Sequence, residues 1–457
     1  MNNESVLMTE GSPSRHIIRF AVPLFWGCLF QQLYNVVDAL VVGNFLGSDA
    51  LAAVSSSGNM IELFTAMFIG VFTGAGIVIA RVFGARDFGK LTRAVHTDAA
   101  AAVISGALLT VIGIAFSPAL LRWVGTPASV MNDAVLYFRI YFAGSLFMTL
   151  YNMTSGIFQA VGDSRHPLYY LILSACVNIV LDLLFVAVLG MGVDGAALAT
   201  VLSQGISAAP GLVRLMRTRE PYRLEIKKIG IHGETMKQIL IMGIPNGMQN
   251  SVIGFANTLV QASINLFGAE ALAGYGCYGK IEGFAFLPVT AFATAVSTFV
   301  GQNLGAGEYE RAVRGSRFGW LCGAGLSEAL GLMLCLLAPG FIGLFNRNAQ
   351  VIEYGAMHAR IVGPFFFLCA TSHIMAGVMR GAGRSVVPMT VILCCWCAIR
   401  LLYIFTVARP SGDIRMVYWA YPITWTLSTA CFLTYYFKAD WPHYLTRKEA
   451  HSARPRG

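Results

Sequence analysis

Charged residues are scarce in this sequence. Only 12% of its 457 residues are Asp, Glu, Lys or Arg, whereas 56% are hydrophobic, and the mean hydropathy is +0.64. A soluble globular protein carries about 25% charged residues, so the composition excludes a soluble domain and indicates a protein that lies in lipid. Acidic residues are fewer than basic ones, with 23 Asp and Glu against 32 Lys and Arg.

Three kinds of site are also missing. The ten cysteines lie inside apolar segments, where a free thiol behaves as a small hydrophobe, so we expect no disulfides. The eight histidines show no metal-ligand spacing. The GARD and GAGE turns that begin at Gly84 and Gly305 have no strand before them and no phosphate-loop Lys-Ser/Thr, which excludes a nucleotide site. We therefore expect no cofactor.

Long apolar runs occupy most of the chain. A spanning helix needs about 20 apolar residues, and runs such as Leu171 to Leu189 are continuously apolar, unlike the alternating strands of a β-barrel. The prediction is an all-α membrane protein with twelve transmembrane helices. Their predicted spans begin near Ile17, Ala52, Ala94, Ala134, Pro167, Gly195, Ile239, Leu272, Gly315, Gly355, Pro388 and Met416.

The basic residues set the predicted orientation. Most of the 32 Lys and Arg residues fall on one side of the twelve-helix topology, which is the positive-inside pattern and explains the net charge of +9 without nucleic acid. Both termini are then cytoplasmic, as in a multi-pass protein of the plasma membrane. The first apolar run is too long for a cleaved signal peptide and contains Asp38.

The two halves of the chain are copies of each other. At an offset of 221 residues, GSDALAAV from Gly47 pairs with GAEALAGY from Gly268, and Arg139 pairs with Arg360. Since each copy holds six helices, both cross the bilayer in the same sense and are related by a pseudo-twofold axis along the membrane normal. The predicted organisation is a first lobe at 1–217, a polar cytoplasmic linker at 218–236, a second lobe at 237–438 and a basic tail at 439–457.

Several motifs give the chain a family resemblance. They are Pro23, Gln31, Asp38, Gly43, Gly47 and the Ala50 to Val54 run in helix one, VGQNLGAG from Val300 to Gly307, NIVLDLLFV from Asn178 and GVDGAALATVLSQ from Gly192. In order and spacing they resemble the multidrug and toxic compound extrusion (MATE) family, over nearly the whole chain. The resemblance implies no enzyme but an exporter of amphipathic, often cationic compounds, driven by H⁺ or Na⁺ through alternating access of two lobes.

Two acids lie within apolar helices of the first half. Asp38 is in the middle of helix one, and Asp182 follows Asn178 by four residues in helix five, so Asn178 and Asp182 share a helix face. By the resemblance, these three residues and Thr200 of helix six converge as a cation site. Two neighbouring carboxyls can bind and release a proton, and the same oxygens could hold Na⁺. The alternative is that these groups only hydrogen-bond helices together.

A second set of residues is assigned to the substrate cleft. Aromatic and methionine side chains suit a promiscuous pocket because they are large, adaptable and attract cations over their rings. The set is Gln31, Tyr34, Met60, Glu62, Phe64, Met148, Asn152, Lys280, Glu282 and Phe284. Lys280 and Glu282 are two residues apart, or roughly 200° around a helix, so they cannot both face one site.

The second half differs from the first in its polar residues. Its predicted helix seven has no acid, and its remaining intramembrane ionisable groups are Glu328, His373 and Arg400. At the offset of 221, the positions opposite Asp38, Asn178, Asp182 and Thr200 are Leu259, Ile399, Tyr403 and Tyr421. We therefore expect the first half alone to sense the ion.

Other functions are compatible with parts of this pattern. A lipid-linked oligosaccharide or lipid flippase of the same superfamily would have similar helices, although a basic cleft would suit its anionic head groups better. An intramembrane aspartyl protease could use Asp38 and Asp182, but its Gly-x-Gly-Asp signature is missing. A sensor or scaffold without transport is a third alternative. The expected partners are small organic molecules and membrane lipids, with no nucleic acid, and the expected state is a monomer.

Overall fold

Twelve long helical segments make up the computed structural model, which describes residues 7–123 and 125–444. Every predicted span begins inside one of them, which confirms the all-α prediction, and the described part contains no strand. The segments are α1 (Pro13–Phe45), α2 (Gly47–Gly84), α3 (Phe88–Trp123), α4 (Met131–Ala143 and Ser145–Ala160), α5 (Arg165–Asp182 and the π-helix Leu183–Val188), α6 (Val193–Arg217), α7 (Gly233–Ile264), α8 (Ala269–Gly305), α9 (Tyr309–Phe345), α10 (Ala349–Val362 and Phe366–Gly381), α11 (Val386–Ser411) and α12 (Ile414–Lys438).

Most of these helices can cross a bilayer by length and composition. Among the described residues, nine helices are long and apolar enough, or ten when the two pieces of α4 count as one span. Helices α7 and α12 fall short only in apolarity, because each is at least 25 residues long and exceeds the roughly 30 Å of a hydrocarbon core. In α7 the polar residues include Asn246, Gln249 and Asn250. The chain is a multi-pass membrane protein.

The bend in α4 has a local cause. Its two pieces meet at Gly144 with an angle of 49°. A Cβ atom at Gly144 would overlap the side chain of Val201 in α6, so glycine lets the bent backbone approach α6 closely. The sequence predicts a single span from Ala134, and the structure breaks that span in two.

The chain forms two compact units, each with its own core. Unit 1 comprises Met1–Leu7 and Trp26–Gly247, and unit 2 comprises Met8–Phe25 and Met248–Gly457. These boundaries fall inside α1 and α7, whereas the predicted lobes meet at the 218–236 segment. One reason is that the segment before α1 is held by unit 2, where Arg311 donates to the carbonyl oxygens of Met8 (3.0 Å), Glu10 (2.8 Å) and Gly11 (2.5 Å).

The predicted linker at 218–236 is partly built into unit 1. Tyr222 and Leu224 are buried in the same apolar cluster as α2 and α3, and the Glu225 N–H donates to Nε2 of His96 in α3 at 3.0 Å. The polar composition predicted a cytoplasmic linker, and the structure shows that two apolar side chains anchor this segment on unit 1. The predicted basic tail lies outside the described residues from position 445 onwards.

Candidate functional site

Helices α5 and α6 bring three predicted residues together in unit 1. Asn178 and Asp182 lie one turn apart on α5, and each is only 1% exposed. With its amide oriented to satisfy both neighbours, Asn178 donates to Oδ2 of Asp182 at 2.7 Å and accepts from the Thr200 N–H at 3.2 Å. The Thr200 hydroxyl donates to the Ala196 carbonyl at 3.1 Å, so its oxygen keeps a free lone pair.

Helix α1 adds the fourth predicted residue. The carboxyl groups of Asp38 and Asp182 lie within hydrogen-bonding reach of each other. One turn earlier on α1, the Tyr34 hydroxyl faces the side chain of Thr200. The structure thus gathers Asp38, Asn178, Asp182 and Thr200 into one cluster, to which Tyr34, assigned to the cleft from the sequence, also belongs.

Two tyrosines of α4 lie around this cluster, and the sequence analysis did not predict them. Tyr137 is 6% exposed and lies within electrostatic reach of both Asp38 and Asp182. Tyr141, one turn further on, faces the side chain of Gln204 of α6, and its hydroxyl donates to the sulfur of Met148 at 3.9 Å. A possible signal was the spacing of Tyr137 and Tyr141, which places two phenols on one face of an apolar helix.

The carboxyl oxygens of this cluster outnumber the hydrogen-bond donors around them. Oδ1 of Asp38 and Oδ1 of Asp182 are both buried, and neither has a hydrogen-bond partner among the described residues. Two carboxylates this close repel each other and cannot both stay ionised without a compensating charge. A shared proton or a small cation supplies that charge, and carboxylate and hydroxyl oxygens are ligands that hard cations accept. Within the described ranges, no three His, Cys, Asp or Glu side chains form a metal-ligand group.

The residues assigned to the cleft in unit 1 are not uniformly accessible. Met60 (1% exposed) and Met148 (6% exposed) belong to the apolar core of this unit, so in this structure they are packing residues. Asn152 donates to the Met148 carbonyl within α4 at 2.9 Å. Gln31 and Glu62 are exposed, and Phe64 is half-buried against the core. The assignment of the two methionines to the substrate cleft stays a prediction.

Unit 2 separates the two charged residues that the sequence placed on α8. Lys280 is exposed, with its ammonium 5.6 Å from the centre of the Phe345 ring. Glu282 lies on another face, within electrostatic reach of Arg400, and Phe284 is half-buried. The predicted divergence of Lys280 and Glu282 is therefore seen in the structure.

Two other ionisable groups of unit 2, Glu328 and His373, make contacts between helices. Glu328 accepts from the Phe367 N–H at 2.9 Å and so ties α9 to α10. The ring of His373 packs edge-on against Phe286 and Trp396, at 4.9 and 5.2 Å between centroids. These contacts join neighbouring helices of unit 2.

Comparison with known proteins agrees with this architecture. The MatE family model matches residues 23–184 and again residues 245–406. The probable multidrug resistance protein YoeA of Bacillus subtilis is 27% identical over 444 residues, with 94% of this chain and 95% of that protein covered. The probable multidrug resistance protein NorM of Thermotoga maritima is 26% identical over 388 residues, or 82% of each chain.

Solved structures share the fold. An outward-facing multidrug resistance MATE family transporter of the MOP superfamily aligns with a TM-score of 0.90 at 23% identity, covering 98% of this chain and 100% of its own. A MOP superfamily transporter from Pyrococcus furiosus, whose binding pocket is described as having reverse polarity, aligns with a TM-score of 0.88 at 24% identity. The twelve helices of this chain therefore follow the architecture of these transporters.

Proposed function

The chain belongs to the multidrug and toxic compound extrusion (MatE) family of membrane transporters, and from this premise we propose that it exports small amphipathic organic compounds, cationic ones included, in exchange for H⁺ or Na⁺. Its family is one of transporters, not of enzymes. The names of its relatives, multidrug resistance proteins in two bacteria, support drug export. We place the protein in the plasma membrane as a monomer with both termini in the cytoplasm and no cofactor besides the coupling ion.

The carboxyl pair of Asp38 and Asp182 carries the proposal of ion coupling. Isolated charges inside a bilayer are costly, and this pair is buried without enough donors to neutralise it. Binding of one H⁺ or one Na⁺ relieves the repulsion, and release of that ion restores it. Because Asp38 lies on α1 and Asp182 on α5, the ion decides whether these two helices attract or repel each other, which is the differential contact that a coupled conformational change needs.

The driving force is adequate for this role. One elementary charge that crosses the membrane down a potential of 100 mV releases about 2.3 kcal/mol. That energy corresponds to nearly a fiftyfold shift in a two-state equilibrium. A single exchangeable cation at the Asp38 and Asp182 pair is therefore enough to bias substrate release.

The test is export from proteoliposomes that contain the purified protein and a fluorescent organic cation. We expect export when a pH gradient or a sodium gradient is imposed separately, and Asp38→Asn should abolish gradient-driven export without preventing reconstitution. Asp133→Asn is the matched control, because Asp133 is an exposed acid of the same unit. Export that follows neither gradient, or that persists undiminished in Asp38→Asn, would contradict ion coupling.

A further inference from the structure

Unit 2 contains a buried, immobilised cation. Arg400 of α11 is only 1% exposed, and its Nε and Nη2 both donate to Oγ1 of Thr424 in α12, at 3.2 and 3.0 Å. Its guanidinium carbon lies 5.3 Å from the centre of the Trp396 ring and 4.6 Å from that of Tyr421. Cation–π contacts of this kind are strongest when desolvated, so the charge is held rather than free to snorkel.

The repeat relates Arg400 to the cation cluster of unit 1. The two family matches end at residues 184 and 406, which are 222 residues apart, and near these ends that offset places Asn178 opposite Arg400. The offset of 221 seen earlier in the repeat pairs Asn178 with Ile399 instead. Burial decides between them, because Asn178 and Arg400 are each 1% exposed whereas Ile399 is 37% exposed. The expected equivalence of Asn178 and Ile399 is therefore corrected to Asn178 and Arg400.

A π-helix accounts for the one-residue shift. Residues Leu393–Ile399 form a π-helix directly before Arg400, whereas the matching part of unit 1 is α-helical up to Asp182. A π-turn closes from residue i to i+5 and so contains one residue more than an α-turn. The insertion rotates the following residue inwards, which turns the Arg400 side chain towards Tyr421 and Thr424.

Contacts support the same equivalence independently. In unit 1, Asn178 contacts Thr200. In unit 2, Arg400 of α11 contacts Tyr421 and Thr424 of α12, the helices that correspond to α5 and α6. The same pair of helices is joined in both units, but the chemistry changes from two neutral groups beside two carboxyls to a fixed guanidinium.

We propose that Arg400 is a built-in cation, which takes in unit 2 the place that the exchangeable ion takes in unit 1. This inference rests on the cation site proposed above for unit 1. Glu282 of α8 lies within electrostatic reach of Arg400, and the phenols of Tyr275 and Tyr421, which hydrogen-bond each other at 3.0 Å, lie beside the guanidinium. A tethered cation cannot leave, so unit 2 keeps one charge state while unit 1 alternates between two.

Chemical rescue tests the proposal without any transport assay. Arg400→Ala leaves a guanidinium-sized space beside Trp396, Tyr421 and Thr424. The variant loses these buried contacts and leaves the Thr424 hydroxyl without its donor, so we expect the melting temperature of the purified protein to fall by roughly 5 °C. Guanidinium chloride at millimolar concentration should reverse the fall, whereas sodium chloride at equal ionic strength should not. Arg415→Ala, which removes an exposed arginine of the same unit, should show neither effect.

Every outcome of this experiment either supports or overturns the proposal. A melting temperature of Arg400→Ala equal to that of the unchanged protein, or a fall that guanidinium does not reverse, overturns the proposal. If Arg400→Ala does not fold, Arg400→Lys and Arg400→Met replace it. A melting temperature that is kept in Arg400→Lys and lowered in Arg400→Met supports a required cation. Equal melting temperatures of the two variants overturn the proposal. The rescue should also persist in the Asp38→Asn background, since it depends on unit 2. If ion-coupled export fails while the guanidinium rescue works, only the ion coupling proposed for unit 1 is contradicted, and the proposal for Arg400 stands.

Discussion

Asn178 has the most constrained side chain of the candidate site in unit 1. Its amide must donate to Asp182 and accept from the Thr200 backbone at the same time. An amide that is fixed from both sides orients the carboxyl beside it, in the way that outer partners orient metal ligands. We therefore expect Asn178 to act on the proposed ion through Asp182, as a positioning residue.

This role makes the effect of Asn178→Ala predictable. We expect the ion concentration needed for half-maximal export to rise about tenfold, the usual lower range for losing such a partner, while the maximal rate changes less. The measurement is export into vesicles over a series of sodium concentrations and pH values. Asn132→Ala, at an exposed position of α4, is the control. An unchanged ion dependence would mean that Asn178 only joins α5 to α6.

The acids and the amide of the site could be predicted from the sequence, and the tyrosines could not. Asp38, Asn178 and Asp182 interrupt long apolar runs, where a polar group is costly enough to need a reason. Tyr137 interrupts nothing, because a phenol is amphipathic and the chain has 17 tyrosines. Its place beside Asp38 depends on how α4 packs against α1, which is a long-range property without a local pattern.

At the scale of elements, the closest helix contact of unit 1 is made by four glycines. Gly70 and Gly74 of α2 face Gly243 and Gly247 of α7, two small-xxx-small motifs of the kind that bring membrane helices together. A Cβ atom at Gly74 would lie 2.5 Å from the Gly243 nitrogen, and one at Gly243 would lie 2.7 Å from the Cα of Val71. The first half of α7 thus belongs to unit 1.

We expect Gly74→Leu to lower the stability of unit 1 strongly. The added side chain meets backbone, which cannot turn aside, and overpacking of this kind typically costs about 1–3 kcal/mol or more. The thermal transition of the purified protein in detergent should shift downwards and its yield should fall. Gly58→Leu in the same helix is the matched control, because a Cβ atom there has no neighbour within 4 Å. Equal stability of the two variants would contradict close α2–α7 packing.

The number of helices was readable from the sequence, but their irregularities were not. Each of the twelve apolar runs became a helix because a bilayer leaves the backbone few other ways to satisfy its hydrogen bonds. The π-helix at Leu393–Ile399 changes the period by one residue, which a run of uniformly apolar side chains does not reveal. For this reason the repeat register expected beyond Pro388 was one residue off, and the expected repeat partner of Asn178 was Ile399 instead of Arg400.

At the scale of the whole molecule, duplication preserved the scaffold and changed the charges. Both halves match one family model over 23–184 and 245–406, yet the described part of unit 1 brings Asp38 near Asp182, whereas unit 2 buries the guanidinium of Arg400 beside Trp396 and Tyr421. A carboxyl pair can exchange an ion, while a covalently attached guanidinium cannot be released. The asymmetry predicts that ion exchange belongs to unit 1.

Glu282→Gln separates ion exchange from structural support. Removing this carboxyl changes the electrostatic surroundings of Arg400, so we expect a slower export rate, but the number of ions exchanged per substrate should stay the same because the carboxyl pair of unit 1 is intact. That ratio is measured in proteoliposomes as the ion gradient at which net substrate movement reverses. Asp182→Asn should change or abolish the ratio in the same assay. A reversal point that shifts in Glu282→Gln would mean that unit 2 also releases an ion, and the division of labour between the two halves would then have to be abandoned.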